Sequence, residues 1–138
     1  VSLEAIRSGK AGLDSHRQVM LMRTPDPGDW ASFGHKTLNL KDLAYLTAQT
    51  GDEFAILRGK KEDVLVHGNK TRVTFVGVLH DMLIEHKLEL VGHSHPGEDE
   101  PEASPEDRAV LRLIGQKRSY VVSGRTGIIN DFSVDPFE

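Results

Sequence analysis

The 138-residue chain contains no cysteine, which excludes disulfides and thiolate metal sites and leaves the redox compartment unreadable. No apolar run approaches the ~20 residues that a membrane-spanning helix needs, and the N-terminus has no signal-peptide pattern. A basic excess is missing too. The formal net charge of −4 argues against non-specific nucleic-acid binding, which calls for a basic face. There is no internal repeat and no low-complexity tract. What is present, 38% hydrophobic and 28% charged residues, describes a soluble globular chain. At this length it forms one domain with a sizeable core. The chain opens on Val1 rather than methionine, so we read it as a domain excised from a larger protein or a processed product, and its localisation stays open.

The first 37 residues carry the weakest pattern and read as an N-terminal extension that partly covers the core. Residues 2–13 predict a short helix and Val19-Met20-Leu21-Met22 an edge strand. Residues 24–29, rich in proline and glycine, predict a loop, after which Trp30 and Phe33 tuck back onto the core. From Asn39 the pattern is regular. Asn39 caps a helix with Leu40, Leu43, Ala44 and Leu46 on one face, and Gly51 ends it. Residues 53–58 and 63–67 read as a hairpin around Gly59-Lys60-Lys61-Glu62. Helical spacing runs from Val73 to His86, a strand from Leu88 to His95, a helix from Ser104 to Gln116, and two last strands over 119–123 and 127–132. This tally predicts an α/β (α+β) domain: a central mixed sheet flanked by helices.

Chemistry concentrates in Val91-Gly92-His93-Ser94-His95-Pro96 and in Ser104-Pro105-Glu106-Asp107. A strand repeats every two residues, so His93 and His95 project from one face. Pro96 cannot continue a central ladder, so the pair sits at the strand's tip. Serine at the N-cap, proline at the first helical position and acids in the first turn make the tetrad a strong helix start. That alone accounts for Ser104 and Asp107 without any chemistry. It does not account for a helix start following a histidine pair so closely. His93, His95 and Asp107 together are three ligands for a divalent ion such as zinc, with a fourth position left for water, the pattern of a catalytic site.

H-S-H-P, a short loop and then S-x-x-D resembles the signature of the JAMM (JAB/MPN+) metallopeptidases. His93, His95, Ser104 and Asp107 match it one for one. The resemblance in detail spans about residues 53–107, and the order of elements extends it to about 38–133, so residues 38–138 are expected to form an MPN/JAB-like domain. It implies Zn2+ as cofactor and a hydrolase of peptide or isopeptide bonds, with a protein or peptide substrate, ubiquitin-like proteins among the candidates. Neither nucleic acid nor membrane is an expected partner. Relatives bearing the signature also include RadC-like proteins and JAB domains of phage and toxin proteins. A metal-stabilised module without hydrolytic activity, part of such a larger protein, therefore stays open.

Hydrolysis by a metal-activated water needs a carboxylate to shuttle a proton. In the family this is a glutamate on an earlier strand, and Glu53 is its match, although Ile56 replaces a usually small residue and Gly59 falls about one position early. The rivals are Glu85, on a helix, and Glu89, on the same strand face as His93 but about 13 Å away at ~3.3 Å per residue. The family serine that matches Ser104 helps to hold the developing oxyanion. The acidic loop at 97–102 can attract a basic substrate, or simply be a solvated face. His16, His35, His67, His80 and His86 show no ligand spacing and are taken as surface or core residues.

Overall fold

The computed structural model describes residues 1–137. It is a mixed α+β structure in which a six-stranded sheet is packed on both faces by helices. In chain order the elements are α1 (Leu3–Arg7), α2 (Ser15–Arg23), β1 (Trp30–Gly34), α3 (Leu40–Thr50), β2 (Phe54–Arg58), β3 (Glu62–His67), α4 (Gly77–Ile84), β4 (Glu89–His95), α5 (Pro105–Ile114), β5 (Arg118–Ser123) and β6 (Ile129–Ser133). The sheet order is β1-β3-β2-β4-β5-β6. Every pairing is antiparallel except β4 with β5. That exception follows from the long crossover through α5, which parallel neighbours require.

The central strand β2 is apolar at every position except its last, because both of its faces are buried. Phe54 and Ile56 join one core layer with Leu43 and Leu46 of α3 and with Ile6, Leu13 and Met20 from the N-terminal segment. Ala55 and Leu57 face the other layer, with Leu79 and Leu83 of α4 and Leu111 and Ile114 of α5. Residues 1–37 are therefore built into the same body. They supply side chains to the core, and β1 pairs with β3.

Several local expectations are corrected. The edge strand predicted at Val19–Met22 is helix α2, started by the Asp14 side chain accepting from Arg17 N at 2.9 Å; only Met20 of that helix is buried. The edge strand forms instead at Trp30–Gly34, where Phe33 packs on the core but Trp30 stays exposed. The helix predicted over 2–13 stops at Arg7, and Gly9 follows at φ +79°. The helix predicted over 73–86 starts only at Gly77, leaving residues 69–76 outside any helix or strand. Three β-branched residues, Val73, Thr74 and Val76, resist helix there, and their alternation of half-buried Val73 and Phe75 with exposed Thr74 and Val76 is strand-like.

A β-bulge shapes the site-bearing strand. Ala55 pairs with His93 and Ile56 with Gly92, but Leu57 pairs with Leu90, so Val91 is the extra residue. The bulge shifts the alternation, and Leu90 rather than Glu89 shares the layer facing α4 and α5. The expectation that Glu89 lies on the face of His93 fails for this reason. Gly92 is required by close approach, since a Cβ there would lie 2.5 Å from Leu40 Cδ2 and 2.9 Å from Tyr120 O.

The loop entering α3 is tied to the hairpin by Asp63. Its fully buried carboxylate accepts from Lys36 N (3.1 Å), Leu38 N (3.0 Å), Arg58 Nε (2.8 Å) and Arg58 Nη2 (3.0 Å). Burial pushes its pKa up, but the Arg58 and backbone hydrogen bonds outweigh that and hold it below the usual 3.8. A depressed acid contributes stability that is present above its unfolded pKa and lost as pH falls through its folded pKa. Asp63→Asn is expected to cost about 3 kcal/mol near neutral pH by leaving Arg58 without its counter-charge. Urea denaturation across pH should show the gap to wild type narrowing as pH falls below about 4, where the unfolded carboxylate takes up a proton that the native one, held below 3.8, still resists.

Candidate metal centre

The site lies at the carboxyl end of β4, where α5 begins. Ser94 points to the α3 side: its Oγ is 2.6 Å from Thr47 Oγ1 and accepts from Phe54 N at 2.9 Å. By alternation His93 and His95 point to the opposite side, toward α5, and both are buried. The serine between the histidines thus fastens the tip of β4 to the start of β2, just after Glu53.

The capping box of α5 delivers Asp107. Asp107 N donates to Ser104 Oγ at 3.1 Å and Ser104 N donates to Asp107 Oδ2 at 2.8 Å. The same Oδ2 lies 3.1 Å from His93 Nε2 and 3.3 Å from His95 Nε2, and the two Nε2 atoms are 3.0 Å apart. The tetrad is a helix cap, and the capped carboxylate lies against both imidazoles. Three donor atoms form a triangle with edges close to the roughly 3.0–3.4 Å expected between ligands bonded at about 2.0–2.1 Å to one ion. Asp107 is held well below the usual carboxylate range: burial opposes this, and the hydrogen bonds with His93 and His95 prevail. His95 is raised above its ordinary value, since its bond to Asp107 and the surrounding carboxylates overcome desolvation.

Glu53 is buried on the near side. One ligand atom from each of Glu53, His93 and His95 lies within 4.8 Å of the others. This buried Glu/His/His group can hold a metal ion. Asp107 is closer still to both histidines, so two carboxylates face the pair, Asp107 in contact and Glu53 farther out. Burial pushes the Glu53 carboxyl up to about 7, with the nearby carboxylates of Asp107 and Glu98 adding to it against the pull of His95 and Arg72. Its backbone is fixed by Glu53 N donating to Asn69 O (2.8 Å) and Gly68 N donating to Glu53 O (2.7 Å).

All five expected site residues, Glu53, His93, His95, Ser104 and Asp107, line one cavity of about 870 Å³. Its floor is apolar, with Phe75, Leu83, Leu90 and Val110, and Lys70 and Arg72 line the same cavity. The rival acids lie elsewhere: Glu85 is exposed beside Lys87, and Glu89 is exposed where β4 pairs with Arg58 of β2. His67 is a core residue, its ring 4.2 Å from that of Phe54 and its nitrogens 2.7 Å from Thr24 O and from Asp52 Oδ2.

Sequence reasoning missed two contributors. Ser94 has no role in the sequence pattern beyond separating the two histidines. Glu98 is one acid of a charged loop by sequence, yet its Oε1 is 3.1 Å from His95 Nδ1. A carboxylate three residues beyond a ligand histidine is the signal that could have found it. The loop's charge is largely engaged within the molecule: Asp99 pairs with Arg125 at 3.0 Å and Glu100 accepts from Asn130 at 3.1 Å. No family model, no curated protein and no solved structure matches this chain.

One ion per chain is the expected stoichiometry, and its removal by chelator should lower the melting temperature, because an ion bound only by the folded state stabilises it. Asp107→Asn keeps an oxygen to accept from Ser104 N but loses the charge. It should lose the metal while the metal-free protein keeps its melting temperature within about 2 °C, whereas Asp107→Ala also loses about 1 kcal/mol of capping. Elemental analysis with calorimetry of the metal-free forms separates ligand from cap.

Proposed function

We propose that this chain is a zinc-dependent hydrolase of the JAMM type that cleaves peptide or isopeptide bonds. The observation that carries the reading is the convergence of His93, His95 and Asp107, with Glu53 buried beside them and held near neutrality. The donor set suits the ion: two imidazoles and one carboxylate are a recurring catalytic zinc set. When bound, zinc supplies Lewis acidity, lowering the pKa of water from 15.7 to about 7 and polarising a carbonyl.

The chain's own residues do the rest. His93, His95 and Asp107 hold the ion. Glu53 accepts a proton from the attacking water as its oxygen bonds to the scissile carbonyl carbon. It then delivers that proton to the departing amine nitrogen as the C–N bond breaks. A base with pKa near the working pH suits both halves of this transfer. Ser104 Oγ already accepts from Asp107 N, so its own proton is free to donate to the developing oxyanion. The apolar lining and residues 73–76, which lie outside any helix or strand, offer a chain-like substrate a surface beside these groups. Substrate choice, ubiquitin-like proteins included, belongs to this proposal as an expectation from the resemblance.

Metal analysis with a cleavage panel of peptides and ubiquitin-like conjugates tests the reading. Glu53→Gln should retain zinc and lose cleavage by at least a hundredfold. Iron in place of zinc would point to the redox chemistry that a two-histidine, one-carboxylate set also supports. Zinc bound without cleavage of any conjugate would favour the metal-stabilised module.

Ser104→Ala separates two roles. As a cap its loss costs about 1 kcal/mol of stability, whereas as an oxyanion donor it should lower kcat by on the order of a hundredfold with zinc retained. A fall in turnover no larger than the fall in folded fraction leaves Ser104 as a cap.

A further inference from the structure

We infer that Glu98 is a positioning residue of the metal centre, which holds His95 in the tautomer and orientation that present Nε2 to the ion. The inference rests on the metal-binding part of the proposed function and adds a residue outside the H-x-H…S-x-x-D pattern.

The geometry is specific. His95 Nδ1 lies 3.1 Å from Glu98 Oε1. A carboxylate only accepts, so this contact favours a hydrogen on Nδ1. It opposes Asp107 Oδ2, which lies 3.3 Å from Nε2 and favours the hydrogen there, and it leaves the Nε2 lone pair, 3.0 Å from His93 Nε2, for an ion. A ligand histidine whose far nitrogen donates to a carboxylate is both oriented and more basic.

An exposed glutamate alone would be a weak anchor, because its side chain would have to be ordered at each encounter. Glu98 is ordered independently of His95. Its second oxygen accepts from Glu102 N at 3.0 Å, and its backbone carbonyl accepts from Ser123 Oγ. The next residue is held as well: Arg125 Nε donates to Asp99 Oδ1 at 3.0 Å, and Thr126 Oγ1 donates to Asp99 O at 2.6 Å. Farther along, Asn130 Nδ2 donates to Pro101 O at 3.0 Å. The turn between β5 and β6 therefore braces the loop between the ligands. His95 is tied to that same turn by Gly124 N donating to His95 O at 2.9 Å. Both partners of the His95–Glu98 bond are thus referenced to one piece of backbone.

The test uses the full chain with two readouts. In metal-free protein at alkaline pH, two-bond 15N–1H NMR of the His95 ring reports its tautomer. Competition with a chromophoric chelator reports zinc affinity. Glu98→Ala should shift His95 toward the Nε2–H tautomer that Asp107 favours and weaken zinc binding by about 10–100-fold. Glu98→Gln keeps a side-chain oxygen acceptor and should restore the tautomer and most of the affinity. Asp99→Ala, which loosens the brace without touching His95, should leave the tautomer unchanged. An unchanged tautomer and affinity in Glu98→Ala overturns the inference. So does an equal loss of affinity in Asp99→Ala, because the loop rather than the carboxylate would then be acting. If wild type takes up no zinc, the metal reading falls, while the tautomer measurement still decides whether Glu98 sets the ring.

Discussion

Three electron-pair donors pointed at one another within about 3 Å, in a site largely closed to water, repel unless positive charge lies between them. That constraint organises this end of the molecule. His93 Nε2, His95 Nε2 and Asp107 Oδ2 meet in that way. Protons can relieve the repulsion in part, and the raised His95 and lowered Asp107 pKa values reflect it. A divalent ion relieves it fully. A scaffold that holds such a cluster together must supply rigidity from elsewhere, and here each donor has its own support. Asp107 is built into a capping box, His95 is held through Glu98, and the strand between the histidines is fastened through Ser94.

The topology explains why the cluster sits where it does. β4 is antiparallel to β2 on one side and parallel to β5 on the other, with α5 as the crossover. The chain leaves the carboxyl end of β4 and returns as the amino end of α5, so strand-tip side chains face first-turn side chains. This is the place in a sheet where connections diverge and leave a crevice. The start of α5 is also the positive end of the helix dipole, which favours an anion such as Asp107. Glu53 arrives from the other neighbour, β2. Ala55 pairs with His93, so Glu53 lies just beyond the paired register and leans over the tip of β4.

Much of this was legible from local rules. Alternation placed His93 and His95 together, and the serine–proline–acid run located the start of α5. The apolar residues at 54–57 marked a strand of the hairpin. What escaped were features set by nonlocal contacts. The bulge at Val91 exists because β2 and β4 must keep pairing while Gly92 passes under Leu40, and nothing in the sequence of β4 alone requires it. Residues 73–76 carry helical spacing and β-branched side chains at once, and packing of Val73 and Phe75 over the cavity decided for the extended form. Val19–Met22 is apolar enough for a strand, but Asp14 caps a helix there, docked through buried Met20, partly buried Leu21 and the Arg17–Asp42 ion pair. The acids of the 97–102 loop looked alike as charges, and only their partners, His95, Arg125 and Asn130, distinguish them.

The two carboxylates nearest the histidines are chemically similar, and their surroundings set them apart. Asp107 touches both imidazoles and receives a backbone N–H from Ser104, so its charged form is stabilised beyond the cost of burial. Glu53 is buried too but stands beyond hydrogen-bond contact with either ring, and desolvation dominates, lifting it to about 7. An acid that stays ionised at any working pH makes a good permanent ligand and a poor proton carrier. An acid poised near neutrality is the reverse: it can take a proton and release it within one cycle. Environments that drive two titratable groups apart in this way are how enzyme sites divide fixed charge from proton transfer. The separation also orders events in the proposed reaction. A cation held by Asp107 and the histidines would draw Glu53 toward its ionised form, the form a base must have before it can accept a proton from water. In that reaction the three candidate ligands and the proposed base would be coupled through charge rather than through a direct hydrogen bond.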